Sequence, residues 1–201
     1  PLVPSASISF SAGVSITAYI GITDKKLRVV GLVPLEGDIP IALFTAQGTV
    51  KRLILTELPS KPEFEIIGLK AGDRVIGAFL APDGSEIAAV SNDAQLLRFS
   101  AALVRSQGRP AGGMAGMKLG SGAQAIFATA IPEGQDARVV TIADSSLTLP
   151  GADVATAKVS DWSEFPPKGR ATGGVRAQRF LKGEDQLACA WVGVGEPRAL
   201  A

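Results

Sequence analysis

A short segment returns four times along this chain at intervals of roughly 45–60 residues, and a period of that length confines the fold to blade-like or solenoid repeats. Each copy couples a polar turn to an apolar strand. The copies run over Ile22–Gly31, Leu69–Gly77, Leu119–Phe127 and Leu181–Cys189. The first three are each followed by a β-hairpin pattern, in which an apolar run meets polar turn residues and then a second apolar run. These hairpins are expected over Ile41–Leu53, Ile87–Phe99 and Val139–Leu149. The fourth copy runs into Ala201 with no room for a hairpin.

Helices have little support. The 13 prolines and 23 glycines fall every few residues, and no stretch keeps a 3.6-residue apolar stripe over three turns. The expected fold is therefore all-β. It is read as a single domain over 1–201, a propeller-like disc of about four four-stranded blades, with an open ring as the alternative to a closed one. The repeat units fall at roughly 1–40 (partial), 41–82, 83–132 and 133–201. An apolar content of 46% suits a packed core. Pro1 in place of a methionine suggests a piece of a longer chain.

Composition removes most catalytic chemistry. Histidine is absent, which excludes histidine-based triads, the usual zinc sites and the commonest general base. The single cysteine, Cys189, lies in an apolar run, reads as a small hydrophobe and fits a reducing compartment. Asp144-Ser145-Ser146 reads as a turn. The scattered aspartates lack the density of a calcium loop, and no glycine-rich run carries the Gly-Lys-Ser or Gly-Lys-Thr of a nucleotide loop. No stretch is long and apolar enough to span a bilayer. No catalytic group, cofactor or metal is expected in this chain, and the expected state is a monomer.

Twenty Lys and Arg stand against nineteen Asp and Glu, so any polyanion contact must come from local clustering rather than net charge. Two segments supply such clusters. Val104–Lys118 and Pro167–Arg179 both carry Gly-Arg-x-x-Gly-Gly, at Gly108–Gly113 and Gly169–Gly174, with no acidic residue in either. Glycine lets backbone approach a rod-like ligand closely, and arginine offers a fork matched to phosphate oxygens. A loop of this kind grips a nucleic-acid backbone without reading bases. The candidates are Arg105, Arg109, Lys118, Lys168, Arg170, Arg176 and Arg179. The connector before the second copy, Leu58–Gly68, lacks the motif and carries Glu63 and Glu65.

Lys51, Arg52 and Arg98 occupy matching places at the ends of second hairpin strands, with Thr148 in the third unit. A solvated strand end explains them as well as contact with DNA does. Trp162 and Phe165 are expected to seal a joint between blades rather than to stack on bases.

The pieces Gln47–Arg52, Leu97–Phe99, Val104–Leu119 and Gly183–Asp185, in this order and spacing, resemble the repeats of the DNA gyrase and topoisomerase IV A subunits. The resemblance extends from about Leu27 to Lys182. It implies a β-pinwheel, in which neighbouring blades exchange an outer strand, and double-stranded DNA bent around a basic rim. It further implies a parent enzyme that passes one duplex through another with ATP and Mg, in the bacterial cytoplasm at the nucleoid. The protein partners so implied are an ATPase B subunit, together with the rest of the A subunit. The family's catalytic tyrosine belongs to another domain; Tyr19, in a β-like apolar run, is not it. The gyrase box Gln-Arg-Arg-Gly-Gly-Lys-Gly has no close match here, and the blades look few for the family, which favours topoisomerase IV while gyrase stays open. The alternative reading is a propeller-type protein-interaction module without nucleic-acid binding.

Overall fold

In the computed structural model the described residues are 15–24, 27–34, 38–55, 60–61, 63–147 and 155–196. Their strands form three antiparallel sheets, each a blade. The first blade takes β1 (Ile41–Thr45), β2 (Thr49–Leu53), β3 (Val75–Leu80) and the short β6 (Met114–Ala115), in the order β3-β1-β2-β6. The second takes β4 (Ser85–Ser91), β5 (Gln95–Ser100), β7 (Ala125–Pro132) and β10 (Val175–Arg176), in the order β10-β5-β4-β7. The third takes β8 (Ala137–Asp144), β9 (Thr156–Asp161) and β11 (Gln186–Val194), in the order β11-β8-β9.

Chain order and sheet order differ in one regular way. The inner strands β3, β7 and β11 follow their hairpins and lie side by side through the stack. The outer strands β6 and β10 are supplied to one blade by chain that has already built the hairpin of the next. This is the strand exchange of a β-pinwheel.

The repeated segment seen in the sequence is the inner strand with its entry turn. Its apolar centre carries a bulge in every blade. Ile76 slips between the pairs Thr45↔Val75 and Phe44↔Gly77, Ile126 between Ser91↔Ala125 and Val90↔Phe127, and Ala188 between Ala143↔Leu187 and Ile142↔Cys189. A bulge of this kind adds local twist. The fourth copy is thus the inner strand of the third blade, as the second and third copies are of the first and second. The first copy, as far as it is described (Lys25 and Lys26 lie outside the described residues), passes β3 as β3 passes β7. A Cβ on Gly31 would lie 2.5 Å from the Ala78 carbonyl oxygen, and one on Gly77 would lie 3.0 Å from that of Ala128. Only glycine fits the first of these approaches.

The first two hairpins form as expected, each with a turn closed by a backbone bond, Gly48 N–H to Thr45 O (3.0 Å) and Ala94 N–H to Ser91 O (3.0 Å). Position 48 has φ +79° and position 94 has φ +61°. Glycine takes this left-handed conformation freely, whereas Ala94 holds it at a cost of about 1 kcal/mol, offset by its complete burial. The third hairpin differs from expectation. β8 pairs with Thr156–Asp161 rather than with the residues after Ser146; Leu147 is 91% exposed, and Thr148 and Leu149 lie outside the described residues. β8 and β9 are still neighbours in an antiparallel pair, but the residues between them are partly outside the described ones, and the short polar run at Asp144–Ser146 marks the end of β8 rather than a two-residue hairpin turn.

Burial patterns follow position in the stack. β1 and β4 are buried at every residue because they sit between packed layers on both faces. β8 alternates buried and half-buried because only one face is packed. Between the first and second blades, Ala42, Phe44 and Val50 meet Ile87, Ala89, Leu97 and Phe99. Between the second and third, Ala88, Val90 and Leu96 meet Val139, Ala143, Leu187, Ala190 and Val192, with Trp162 and Phe165 sealing the joint. The far face of the first blade, Ile41, Leu43 and Leu53, is covered by Val33, Ile66 and Ile67. Among the described residues helix is confined to Ile16–Tyr19, one turn with no buried residue, and to 3-10 turns at Ala101–Leu103 and Trp162–Glu164. Tyr19 therefore lies in a helical turn, not in the β-like run that its apolar neighbours suggest.

Candidate nucleic-acid interface

Each Gly-Arg segment is a strap along the outer edge of a blade. The first strap anchors where β2 ends, through Gln107 N–H to Arg52 O (2.9 Å), and runs back along β2 as β6. It finishes at the hairpin turn, where the N–H groups of Gly116 and Met117 both donate to Gly48 O (2.8 and 3.0 Å). The second strap repeats the path one blade on. Lys168 N–H donates to Arg98 O (2.8 Å), β10 pairs with Gln95 and Leu96, and Ala177 N–H donates to Ala94 O (2.9 Å). The Gly-Gly pairs allow this contact. A Cβ on Gly113 would come within 2.7 Å of Val50 O, and one on Gly174 within 2.6 Å of Leu96 O.

The straps also touch each other. Ala171 N–H donates to Gly116 O (2.7 Å), Lys118 N–H to Thr172 O (3.0 Å), and the Arg170 guanidinium to Ala115 O. Two motifs some sixty residues apart in the chain thereby become one continuous strip across two blades. Arg105, Arg109, Lys118, Lys168, Arg176 and Arg179 are exposed along it, and Arg170 is half-buried. Several have internal duties that fix their direction. Arg109 lies over the Phe64 ring at 5.7 Å, and Lys168 Nζ donates to Gly174 O at 3.2 Å. Arg170 is the least free, because its head group holds the joint between the straps. No acidic residue occurs in either strap.

Lys51, Arg52 and Arg98 are placed elsewhere, and this corrects the expectation that they join the rim. Lys51 is fully buried, and its ammonium donates to Ile66 O, Arg109 O and Ala111 O at 2.6, 2.6 and 2.7 Å. Desolvation pulls its pKa down, and nearby Glu65 opposes that shift. Arg52, 3% exposed, donates to the carbonyls of Ala101 and Val104 in the 3-10 turn of the next blade and pairs with Asp83. Arg98 repeats this one blade on, donating to Trp162 O and Phe165 O at 3.2 and 3.1 Å beneath an indole ring 4.5 Å away. Its guanidinium also grips Glu86 at 2.6 Å. A phosphate could engage these groups only by displacing bonds that would then be buried and unmade. They are latches between blades and between blade and strap.

The sequence missed these latches because a cation at a strand end looks the same whether it faces water or the carbonyls of a following turn. The one available signal was the Lys51-Arg52 pair itself: adjacent strand residues point to opposite faces, so a blade packed on both sides must bury both. Among the described residues no group of side chains could hold a metal ion, and no helix is long and apolar enough to cross a membrane.

Comparison with known proteins agrees with this architecture. A family model described as DNA gyrase C-terminal domain, beta-propeller, matches residues 85–132 and 156–188, which take in the strands of the second blade, β9 of the third and the second strap, but not β8. The DNA gyrase A subunit of Salmonella typhimurium is 33% identical over 153 residues, 74% of this chain and 16% of that protein. The DNA gyrase A subunit of Pseudomonas aeruginosa is 33% identical over 139 residues, 68% of this chain and 14% of that protein. The chain thus spans about a sixth of the length of these curated relatives. A solved C-terminal domain of DNA topoisomerase IV superposes with a TM-score of 0.68 at 23% identity, covering 81% of this chain and 48% of that one, and so shares its fold.

Proposed function

The chain belongs to the family of C-terminal domains of bacterial type II DNA topoisomerase A subunits, and from that premise we propose that it holds duplex DNA along the strip formed by its two straps. The observation that carries this reading is the hydrogen-bonded contact between the straps, which aligns three cations of the first with four of the second, neither strap carrying a carboxylate of its own. Arg105, Arg109 and Lys118 then serve phosphates over the first blade, and Lys168, Arg170, Arg176 and Arg179 serve them over the second. Backbone contact of this kind neutralises phosphates, releases counterions and tolerates any sequence. A strip that follows the turn from one blade to the next favours a bent duplex.

In this reading the domain supplies grip and bending but no catalytic group. The parent is a DNA gyrase or a topoisomerase IV working in the bacterial cytoplasm, where an ATPase B subunit, with the rest of the A subunit, carries out strand passage using ATP and Mg. The weak match to the gyrase box favours topoisomerase IV.

Binding of a duplex of about 40 base pairs across a salt series tests the proposal. Affinity should fall steeply as salt rises. Changing Arg105, Arg109, Arg170 and Arg176 together to alanine should make the logarithmic slope shallower by about 3.6, roughly 0.9 for each of the four phosphates no longer held. Binding that depends on base sequence, or an unchanged slope in the variant, would refute it.

A further inference from the structure

The third blade has no strap among the described residues, and its outer edge opens on a groove of about 570 Å³. One wall is the free edge of β9 (Thr156, Ala157 and Lys158), and the other is the end of the second strap from Arg176 to Arg179 with Leu181 beyond it. Register places Ala157 where Val50 and Leu96 stand in the other blades, the positions paired with β6 and β10. The wall on the strap side is the counterpart of the stretch on which the second strap itself lies, Ala115–Lys118. Both surfaces that receive a strand in the earlier blades are therefore present here.

Two observations say what kind of segment fits. Gln178 is 6% exposed and lines the groove; its Nε2 donates to Thr156 O (3.1 Å) and to Thr156 Oγ1 (3.0 Å), while its buried Oε1 has no hydrogen-bond partner. The matching residue of the first strap is Met117, which needs none. A buried acceptor left open in this way is satisfied by an N–H entering the groove. The ionic groups lining the groove are Lys158, Arg176 and Arg179, with no carboxylate among them. A further basic strap would add cations to three whose one hydrogen-bond partner among the described residues is the Ala177 carbonyl, which accepts from Lys158 Nζ at 2.8 Å. It would also find Val159 where Arg52 and Arg98 latch the other blades.

We propose that this groove is a docking site for an extended acidic segment of another polypeptide, which adds to β9 as an antiparallel strand. Its backbone pairs with the free edge, one of its N–H groups meets Gln178 Oε1, and its carboxylates face Lys158, Arg176 and Arg179, taking the last two in competition with the phosphates of the proposed DNA strip. Main-chain pairing gives the affinity and the charges give the selection, as in other strand-addition complexes.

The test uses a fluorescently labelled peptide of about ten residues alternating glutamate and valine, a matched peptide with lysine in place of glutamate, and the whole chain. The acidic peptide should bind and the lysine peptide should not. Binding should slow amide hydrogen exchange in Thr156–Asp161. Gln178→Met, which installs the residue of the first strap, should weaken binding about tenfold, the cost of one buried hydrogen bond. Arg179→Glu should weaken it further, and thermal unfolding of both variants checks that they are folded. Equal binding of the two peptides overturns the proposal, as does unaltered exchange in β9 or no binding by the acidic peptide. Protection of β9 by duplex DNA with none from the acidic peptide assigns the groove to nucleic acid and also overturns it.

Discussion

The second and third blades share a hairpin, an inner strand and a bulge at the same place, yet they end differently. β5 of the second blade is covered by β10, and Arg98 ties it to the turn that follows β9. β9 of the third has no strand on its outer side among the described residues, and at the place of Arg98 it carries Val159, 56% exposed. The outer face of that sheet sets Val159 beside Val140 and Val140 beside Trp191, itself 37% exposed. In the second blade the same row, Arg98, Ala88 and Thr129, lies toward the third. Identical local architecture thus gives a core element in one place and a surface in another. The difference comes from what the next stretch of chain provides, not from the propensity of the strands.

The sharpest way to break the contrast is to make the second blade like the third. Arg98→Ala removes one partner of a largely buried ion pair, strands Glu86 and frees the carbonyls of Trp162 and Phe165. It should cost about 3 kcal/mol in urea unfolding, at the low end for a broken buried pair because both partners keep some solvent. Next in size, Gly174→Ala pushes a methyl against the backbone of Leu96 and loosens the second strap. A loss of about 2 kcal/mol is expected, with faster exchange of the β5 edge amides. The smallest change runs in the other direction. Val159→Arg installs the latch residue where no turn lies to receive it among the described residues, and should move stability by no more than about 0.5 kcal/mol. A large gain from that substitution would mean that the third blade has a covering partner.

Most of the fold could be read from residues that serve the backbone. The polar turn and apolar strand of each repeat unit, the paired glycines and the tight turns at Gly48 and Ala94 all act locally, so their meaning survives in a linear reading. That the strap cations form a group was also legible, because Gly-Arg-x-x-Gly-Gly recurs without acid, and the two straps do lie in contact along one strip. Lys51, Arg52 and Arg98 were not, since their partners are carbonyls up to about 70 residues away and a carbonyl leaves no trace in sequence. The third hairpin misled for a related reason. Asp144-Ser145-Ser146 has turn chemistry, but the strand that pairs with β8 lies further along the chain, and β8 is held by burial of Val139 and Ala143 against Ala88, Val90 and Leu96 of the second blade, which is a long-range term.

The exchange of outer strands also orders the birth of the molecule. Synthesis runs from the amino end, and β6 emerges only after β4 and β5, just as β10 emerges only after β8 and β9. A blade leaving the ribosome is therefore unfinished until its successor's hairpin has been made, and the paired edges of β2 and β5 stay open for that interval. Growth of this chain proceeds by closing the previous unit rather than by completing the current one, so a stall after Ser100 would leave β2 bare, and a stall after Asp161 would leave β5 bare.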